Sequence, residues 1–319
     1  MENSRRSRKA AVSIMAALII VALCTAVWGR IQKEKQRPPD AFEEAVTLAW
    51  MSDTQYYSET YPEIFSRMTS WLTNESDTLR LRYVLHTGDV VDDFAKEEQW
   101  SHAQKALSAF SGQLPLMLAA GNHDIGHGSL NYTAYTAHMA AALRPLAEAD
   151  LLYADGRGCY DTFSAGGKNY LLLFIGYGID EGAVNWLNHV AAAYPHHTVI
   201  LGTHSYLNMD GTRTEDGQRL WEEVIRPNAN IRLVLCGHNH GVLALADELD
   251  DNGDGQLDRT VHQLMADYQN EDRGGNGYLR LLRIEESGQM HVATYSPYLQ
   301  QTNCFEEGDS FDIQLDLVK

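Results

Sequence analysis

Short apolar runs alternate with amphipathic stretches between residues 45 and 236, and most runs end abruptly in glycine or polar residues. Runs of about four to eight apolar residues bounded by turn residues predict buried strands, and apolar residues that recur every three or four positions predict helices. The predicted strands are 45–51, the apolar part of 81–93, 114–120, 160–164, 170–175, 198–203 and 231–236. The predicted helices are 62–74, 96–110, 131–143, 181–194 and 214–225.

The pattern changes after residue 240, where strands alone are predicted. These strands are 242–249, 260–268, 278–284, 290–296 and 310–317. Strands that alternate with helices and then continue as antiparallel strands are typical of one α/β domain with layered sheets. We therefore expect one large domain over residues 41–319.

The N-terminal 40 residues have a different pattern. A basic tail at 1–9 precedes nineteen residues without a charge, 10–28, and a linker at 29–40 follows. Such an apolar run is long enough to cross a bilayer as a helix, and basic residues before it fit a signal anchor. We expect an uncleaved single-pass anchor in the cell membrane, with the body of the protein outside the cytoplasm. Cleavage of this segment and secretion is the alternative.

The charge is strongly acidic once this segment is set aside. Residues 1–40 contain eight of the 25 lysines and arginines and three of the 43 aspartates and glutamates, so the remainder carries 17 basic and 40 acidic residues, a net charge of −23. A body with this charge is repelled by nucleic acid unless a cation mediates the contact. A role as a nucleic-acid scaffold is therefore not expected, and the oligomeric state is left open.

The cysteines do not indicate a disulfide framework or a structural zinc site. Cys24 lies in the apolar segment, and Cys159, Cys236 and Cys304 are widely spaced with no CxxC pair. Cys236 belongs to an apolar run and is expected to be a small buried residue. A single disulfide between Cys159 and Cys304 is possible.

Five predicted strands end in side chains that bind divalent metals. In an open α/β fold, the carboxyl ends of the strands are where ligands gather. Carboxylate and amide oxygens together with imidazole nitrogens suit Mn²⁺, Fe²⁺, Zn²⁺ or Mg²⁺. The candidate ligands are Asp53 with Gln55, Asp89, Asn122 with His123, His204, and His238 with His240.

These strand ends occur as motifs in a fixed order. The motifs are Asp53-Thr54-Gln55, Gly88-Asp89-Val90-Val91-Asp92, Gly121-Asn122-His123-Asp124, His204 and Gly237-His238-Asn239-His240. In this combination the sequence resembles a calcineurin-like metallophosphoesterase with a DxQ-type first motif. The resemblance implies a four-layer α-β-β-α sandwich with two divalent metal ions at its edge.

The resemblance also implies a role for each residue. Asp89 would bridge the two ions. Asp53, Gln55 and His240 would complete one metal site, and Asn122, His204 and His238 the other. His123 would be the catalytic histidine and Asp92 the carboxylate that orients it. Such a centre hydrolyses phosphoesters, because two cations neutralise the phosphate charge and activate a water while a charged histidine protonates the leaving alkoxide.

Two departures from the family pattern affect the functional prediction. Gln55 stands where histidine is usual, and an amide oxygen is a weaker ligand than imidazole. A non-catalytic metal-binding module at the cell surface is therefore the alternative function. Asp93 stands where the protein serine/threonine phosphatases carry arginine, which makes phosphoprotein substrates less expected. The substrate is otherwise unspecified.

Two further stretches have candidate functions. Residues 250–258 begin like an EF-hand loop, but Val261 stands where the bidentate acid belongs, so a polar turn is favoured over calcium binding. A calcium-dependent adhesive protein is the third possibility. The segment Asp267-Tyr268-Gln269, followed by Gly274-Gly275-Asn276-Gly277, resembles one found near the end of DxQ-type members of the family. A contact between this segment and the substrate is a hypothesis.

Overall fold

The computed structural model describes residues 45–126, 130–139, 152–153, 156–305 and 307–318. The basic tail, the apolar segment at 10–28 and the linker at 29–40 lie outside these ranges, so the predicted anchor stays a prediction. Among the residues described, none of the helices combines the length and the apolar composition that crossing a membrane requires.

Fourteen strands are found within the described ranges. They are β1 Ala45–Met51, β2 Leu81–His86, β3 Leu116–Leu118, β4 Leu152–Tyr153, β5 Gly158–Ala165, β6 Lys168–Ile175, β7 Thr198–Thr203, β8 Ile231–Cys236, β9 Gly241–Leu249, β10 Arg259–Asp267, β11 Leu279–Glu285, β12 Gln289–Ser296, β13 Gln301–Thr302 and β14 Ser310–Gln314. They form two mixed sheets. One has the order β13-β12-β11-β1-β2-β3, with β14 paired to β12, and the other has the order β4-β5-β6-β7-β8-β10-β9.

The α-helices of the described ranges are short. They are α1 Gln55–Glu59, α2 Pro62–Asn74, α3 Ser76–Leu79, α4 Glu97–Leu107, α5 Asn122–Ile125, α6 Thr133–Met139, α7 Glu181–Ala193, α8 Glu215–Leu220 and α9 Asp272–Gly275. A 3₁₀ turn, Ser108–Phe110, continues α4, and a π-helical turn, Trp221–Ile225, continues α8.

Three apolar clusters hold the sheets and helices together. Alternate residues of a strand face opposite sides of its sheet. Leu48 and Trp50 of β1 accordingly pack with Leu233 of β8 in a cluster between the two sheets. Ala49 of β1 packs instead with Phe65 of α2, in the cluster between the first sheet and its helices. The third cluster joins the second sheet to α7 and α8. The mixed α/β sheet fold predicted from the sequence is confirmed.

The direction of the strands determines where the functional residues can meet. β1, β2 and β3 run parallel in the first sheet. β6, β7, β8 and β10 run parallel in the second. Because parallel strands end at the same edge of a sheet, the residues that follow these seven strands are gathered at two neighbouring edges.

Most predicted elements are confirmed, several with the same bounds. One prediction about pairing is wrong. The strand predicted at 260–268 was expected to continue an antiparallel series, but β10 pairs antiparallel only with β9 and runs parallel to β8. The reason is that the hairpin β9–β10 folds back, so that β10 lies between β9 and β8. The predicted helix at 131–143 is seen as α6, and its last four residues lie outside the described ranges.

The cysteines within the described residues are free. The possible disulfide between Cys159 and Cys304 is therefore not formed. Cys236 is buried, as expected from its apolar run. Burial raises the pKa of its thiol to about 12. This keeps the thiol neutral at ordinary pH.

Candidate metal centre

Tight turns direct three of the candidate ligands away from their strands. Asp53 after β1, Asp89 after β2 and His238 after β8 have φ values of 53°, 55° and 71°. Non-glycine residues seldom adopt this left-handed backbone, and its cost is accepted mainly at functional positions. The turns also contact one another, because the Asp53 amide donates to the Gly88 carbonyl at 2.9 Å. The backbone at this edge is shaped to bring carboxylates and imidazoles together.

The motif glycines allow this close approach. A Cβ atom added at Gly121 would overlap Oδ1 of Asp89, and one added at Gly237 would overlap Oδ2 of Asp53. The φ value of Gly121 is −94°, which any residue can adopt, so glycine is required there for space and not for backbone freedom. Each of these two glycines gives room to a carboxylate from a different strand.

Asp89, His204 and His238 form the tightest group of candidate ligands. One ligand atom from each lies within 4.8 Å of the other two. His204 Nε2 is 3.3 Å from Asp89 Oδ2, 3.2 Å from His238 Nδ1 and 3.0 Å from Asn122 Oδ1. Neighbouring ligands of an octahedral ion are about 3 Å apart when each is about 2.1 Å from the metal. The spacing of these four atoms therefore fits a common divalent ion.

The orientation of His204 also fits a metal ligand. Its Nδ1 lies 2.9 Å from the Thr87 carbonyl oxygen, which can only accept a hydrogen bond. Nδ1 therefore carries a proton, and Nε2 has the lone pair of the neutral ring directed at the other candidate ligands. A histidine that binds a metal through one nitrogen while donating to a carbonyl from the other is the usual arrangement.

The second group of candidates surrounds Gln55 at the start of α1. Its Nε2 donates to Oε1 of Gln269 and lies 3.5 Å from Asp89 Oδ2. Its Oε1 is buried and has no hydrogen-bond partner among the described residues. A buried carbonyl oxygen without a partner costs about 1–3 kcal/mol, unless something accepts its lone pairs. A cation beside Asp89 would remove this cost, so the amide also fits a metal site.

Asp53 is another candidate ligand that follows β1. Both of its carboxylate oxygens are 3.2 Å from the His238 amide nitrogen, and one also accepts from the Ser52 hydroxyl. Burial and the nearby charge of Asp267 raise the pKa of Asp53 well above its ordinary value. A group of buried acids that disfavour one another's charge is stabilised when a divalent cation lies among them.

Electrostatics couple Asp89 to His204. Burial alone would raise the pKa of Asp89, but His204 lowers it overall. Burial alone would lower the pKa of His204, and Asp89 raises it to about 10. The pKa of His238 is lowered to about 4 by burial and by the charge of His204. A proton on His204 thus holds this group together when no metal does.

His240 lies at the margin of the centre. Its side chain is 45% exposed, and its Nδ1 lies 3.9 Å from Oδ2 of Asp267. Asp267, the last residue of β10, is in turn bonded to Gln269, which contacts Gln55. His240 is therefore linked to Gln55 through Asp267 and Gln269 and lies outside the group formed by Asp89, His204 and His238.

His123 and Asp92 contact each other beside Asp89. His123 Nδ1 is 2.7 Å from the Asp92 carbonyl oxygen and 3.4 Å from its Oδ1, and His123 Nε2 is 4.0 Å from Asp89 Oδ2. The ring is partly exposed at 24%. A ring held at Nδ1 with Nε2 directed toward the metal ligands can exchange a proton with a group bound there.

A cleft of about 300 Å³ opens beside His238. The Tyr177 ring lies 5.9 Å from the His238 ring and 6.1 Å from the His204 ring, measured between centroids. The cleft is also lined by Asn208, Glu215, Asp216 and Asn239, among others. It has the position and size to hold part of a ligand whose other part reaches the metal ligands.

Comparison with known proteins agrees with this geometry. A sequence model described as "Calcineurin-like phosphoesterase" matches residues 46–242, which include every motif residue at this edge apart from Asp267 and Gln269. The chain belongs to this family. The matched region contains Asp89, His204 and His238, the group of side chains that could hold a metal ion.

Individual proteins give a similar result. The phosphoesterase is 40% identical over 283 residues to the uncharacterized protein YvnB of Bacillus subtilis (strain 168), an alignment that covers 86% of this chain but 22% of that protein. The chain thus spans less than a quarter of this relative. Purple acid phosphatase PPD1 from yellow lupin (Lupinus luteus) seeds has a TM-score of 0.55 at 12% identity, over 85% of this chain and 54% of that one. GAP50, the anchor in the inner membrane complex of Plasmodium, has a TM-score of 0.54 at 12% identity, over 86% and 90%. These two structures share the fold.

Two groups of residues near the centre were not assigned a definite role from the sequence. Asp124 is fully buried, and its carboxylate accepts the amides of Val90, Val91 and Gly121 at 2.8–3.0 Å. It joins the second and third motifs and is not a ligand candidate. Its place in the Gly121-Asn122-His123-Asp124 motif was the available signal. Asp267 and Gln269 belong to a segment for which substrate contact stays a hypothesis; Gln269 contacts Gln55, and Asp267 bonds to Gln269.

Proposed function

We propose that this phosphoesterase hydrolyses phosphoesters with two divalent metal ions held at the strand ends, with His123 as general acid. The observation that carries the proposal is the position of Asp89. Its Oδ2 lies 3.3 Å from His204 Nε2 and 3.5 Å from Gln55 Nε2, so one carboxylate oxygen contacts a member of each group of candidate ligands. A carboxylate between two groups of ligands suits a bridge between two ions.

The residues divide into two sets around Asp89. Asn122, His204 and His238 form one set, in which His204 Nε2 is within 3.2 Å of both other side chains. Asp53, Gln55 and His240 form the other, in which the buried Oε1 of Gln55 has no hydrogen-bond partner among the described residues. The ligand types suit Mn²⁺, Fe²⁺, Zn²⁺ or Mg²⁺. Mn²⁺ is the ion to test first.

When bound, two such ions supply positive charge to the phosphoryl oxygens and activate the attacking water. The protein's own part is to hold the ester and to move a proton. His123 donates its Nδ1 proton to the Asp92 carbonyl oxygen, which leaves Nε2 to carry a second proton when the ring is charged. Nε2 faces the ligand group and can deliver this proton to the departing alkoxide.

A leaving-group series tests the role of His123. An alkyl phosphate needs a proton on its leaving oxygen, whereas p-nitrophenolate leaves well without one. With Mn²⁺, His123→Ala should slow hydrolysis of an alkyl phosphate by about 10²–10⁴-fold and slow p-nitrophenyl phosphate much less. An equal loss on both esters would contradict the general-acid role. Loss of all turnover in Asp89→Ala is expected with either ester.

A non-catalytic metal-binding module at the cell surface is the competing proposal, because an amide at position 55 weakens one metal site. It predicts that Mn²⁺ binds but that no ester in a broad panel of mono- and diesters is hydrolysed. A calcium-dependent adhesive role for residues 250–258 predicts that Asp254→Ala abolishes binding to a cell-wall preparation. The loop's polar groups bond within the loop, for example Asp250 Oδ1 with the Gly253 amide at 2.7 Å, which favours a turn.

The cellular location is a separate proposal. The basic tail and the apolar run at 10–28 support a single-pass anchor with the phosphoesterase domain outside the cytoplasm. Expression of the whole chain, followed by carbonate extraction of membranes and protease treatment of intact cells, tests it. An anchored protein stays with the membrane and loses its domain to the protease. Release of the protein into the medium would favour cleavage.

A further inference from the structure

A chain of three buried polar side chains leads from β10 to the metal site. Asp267 is 1% exposed, and its carboxylate accepts both the backbone amide of Gln269 at 2.9 Å and Gln269 Nε2 at 3.1 Å. Gln269, 8% exposed, presents its Oε1 to Nε2 of Gln55. In both side-chain hydrogen bonds of this series, the NH₂ group of one glutamine donates to the next residue toward Asp267.

The carboxylate determines this order. An ionised carboxylate only accepts hydrogen bonds, so Gln269 must turn its NH₂ group toward Asp267. The oxygen of the Gln269 side-chain amide then faces Gln55, and the Gln55 NH₂ group donates a hydrogen bond to it. The remaining atom, Gln55 Oε1, is directed away from this chain and is the buried oxygen without a hydrogen-bond partner among the described residues.

An amide ligand needs a hydrogen-bond partner that fixes its orientation, and an imidazole ligand does not. The two ends of a glutamine amide have nearly the same shape, and rotation by 180° exchanges them. Only the oxygen end can bind a cation. In this site the Gln55 NH₂ group faces both Gln269 Oε1 and Asp89 Oδ2, but the contact with Asp89 is long at 3.5 Å, so Gln269 is its closer partner. Without a fixed partner, Gln55 could turn the wrong end toward the ion.

We infer that Asp267 and Gln269 are positioning residues that fix which end of the Gln55 amide faces the metal, and that they thereby complete the metal site on the Asp53 side. The inference rests on the proposed two-metal function. It gives a role to the Asp267-Tyr268-Gln269 segment, which lies outside the region matched by the family model. The parallel pairing of β10 with β8 brings the segment to the ligand edge.

Metal titration of the full chain tests the inference. After treatment with EDTA, the unaltered protein should bind two Mn²⁺ ions in calorimetry and show the electron paramagnetic resonance signal of a coupled pair. Gln269→Leu should lower the affinity for one of the two Mn²⁺ ions by about 10–100-fold, as loss of a residue that supports a ligand usually does. The affinity for the other ion should not change. Asp267→Asn should also weaken binding of the affected ion. The asparagine NH₂ group can donate to Gln269, so the amides of Gln269 and Gln55 could both turn by 180°.

Two further variants separate positioning from general damage. Gln263→Leu is the matched control. Gln263 is a fully buried glutamine on β10, the strand that ends at Asp267, and its side chain bonds to Tyr206, Arg213 and Asp247. This variant should keep both Mn²⁺ affinities. In the Gln55→His background, Gln269→Leu should have little effect on either ion, because imidazole has no oxygen end to orient.

Two results would overturn the inference. One is binding of both ions to Gln269→Leu with native affinity. The other is an equal loss from Gln269→Leu in the Gln55 and Gln55→His backgrounds. These outcomes differ from failure of the proposed function, in which the unaltered chain itself would not bind two ions.

The charge of the cleft beside His238 carries a second inference independently. Among the described residues, the cleft is lined by Glu215 and Asp216 and by no lysine or arginine. The Asp216 carboxylate accepts the amides of Gly178 and Ile179 at 2.9 and 3.0 Å, whereas the exposed Glu215 side chain has no such bond shown. The cleft wall therefore carries two negative charges.

Two nearby arginines, Arg213 and Arg219, pair with other groups. Arg213 pairs with Asp247 at 2.5 Å and stacks on the Trp221 ring at 4.0 Å. Arg219 pairs with Glu223 at 3.2 Å and donates to the Ile179 carbonyl oxygen. Neither is placed to neutralise an anionic group in the cleft, so such a group would meet Glu215 and Asp216 directly.

The structure assigns to this cleft a leaving group without negative charge, that is, an uncharged or cationic alcohol. This second inference also rests on the proposed function and narrows its substrate class. It disfavours nucleoside polyphosphates and the phosphate esters of hydroxy acids. A matched series of small monoesters tests it, namely ethanolamine phosphate, glycerol phosphate and phosphoglycerate, with cationic, neutral and anionic leaving groups.

With Mn²⁺ and low salt, kcat/KM should be at least about tenfold lower for phosphoglycerate than for glycerol phosphate. Glu215→Lys should narrow this ratio several-fold, and Glu222→Lys, an exposed acid outside the cleft, should leave it unchanged. Equal rates for the two esters, or an unchanged ratio in Glu215→Lys, would overturn the inference. Turnover of p-nitrophenyl phosphate in the same preparation shows that the phosphoesterase activity itself is present.

Discussion

The ring of His123 is held by the backbone of Asp92 more closely than by its side chain. Nδ1 of His123 lies 2.7 Å from the Asp92 carbonyl oxygen and 3.4 Å from the nearer carboxylate oxygen. The loop that carries Asp92 is itself fixed, because Oε1 of Gln99 accepts the amides of Asp92 and Asp93 at 2.9 and 2.8 Å. The orientation of His123, the proposed general acid, therefore depends chiefly on backbone atoms that substitution does not remove.

The first prediction follows from this geometry. Asp92→Asn should lower kcat on an alkyl phosphate by no more than about tenfold, whereas His123→Ala should lower it by about 10²–10⁴-fold. Steady-state kinetics of both variants at saturating Mn²⁺ makes the comparison. Asp93→Asn is the control, since Asp93 bonds to the Ala95 amide and should have no effect. A loss in Asp92→Asn as large as that in His123→Ala would show that the carboxylate is the main support.

The second prediction concerns protons released by metal binding. The pKa of His204 is about 10, because Asp89 outweighs the effect of burial, so the ring is protonated in metal-free protein at pH 7. A metal ligand must be neutral, and binding should therefore release about one proton from this residue. Apparent Mn²⁺ affinity should rise as the pH rises toward 10. Calorimetry in buffers with different ionisation enthalpies measures the number of protons, and a value of zero at pH 7 would contradict the prediction.

The third prediction concerns Asp124. Its carboxylate accepts three backbone amides from two loops, and its side chain is fully buried. Asp124→Ala leaves these donors without a partner and should lower the free energy of unfolding by about 3 kcal/mol or more. Urea denaturation in EDTA measures this loss without a contribution from metal. The exposed Asp77→Ala is the control and should change stability by less than about 0.5 kcal/mol.

The fourth prediction concerns Gly121. An added Cβ overlaps Oδ1 of Asp89, although the backbone conformation is open to alanine. Gly121→Ala should therefore displace the bridging carboxylate and weaken Mn²⁺ binding by at least about tenfold, while the circular dichroism spectrum stays native. Metal binding of the variant in calorimetry decides the matter. Native affinity would mean that Asp89 can move aside without cost.

The sequence by itself determined the elements and the identity of the candidate ligands. A buried strand followed by glycine and a polar residue is a local pattern, and it predicted Asp53, Asp89, Asn122, His204 and His238 as candidate ligands at the strand ends. Strand and helix bounds such as Ala45–Met51 and Pro62–Asn74 were equally local, because they follow from the spacing of apolar residues and from helix-starting proline.

Only the tertiary structure decided which residues support the ligands. Asp267 and Gln269 reach Gln55 because β10 turns back from β9 and pairs parallel with β8, and the apolar pattern of a strand does not specify its partner. The direction of the Gln55 amide likewise depends on hydrogen bonds to residues more than 200 positions away. Local pattern thus selected the chemistry of the site, and long-range strand pairing fixed the orientation of its groups.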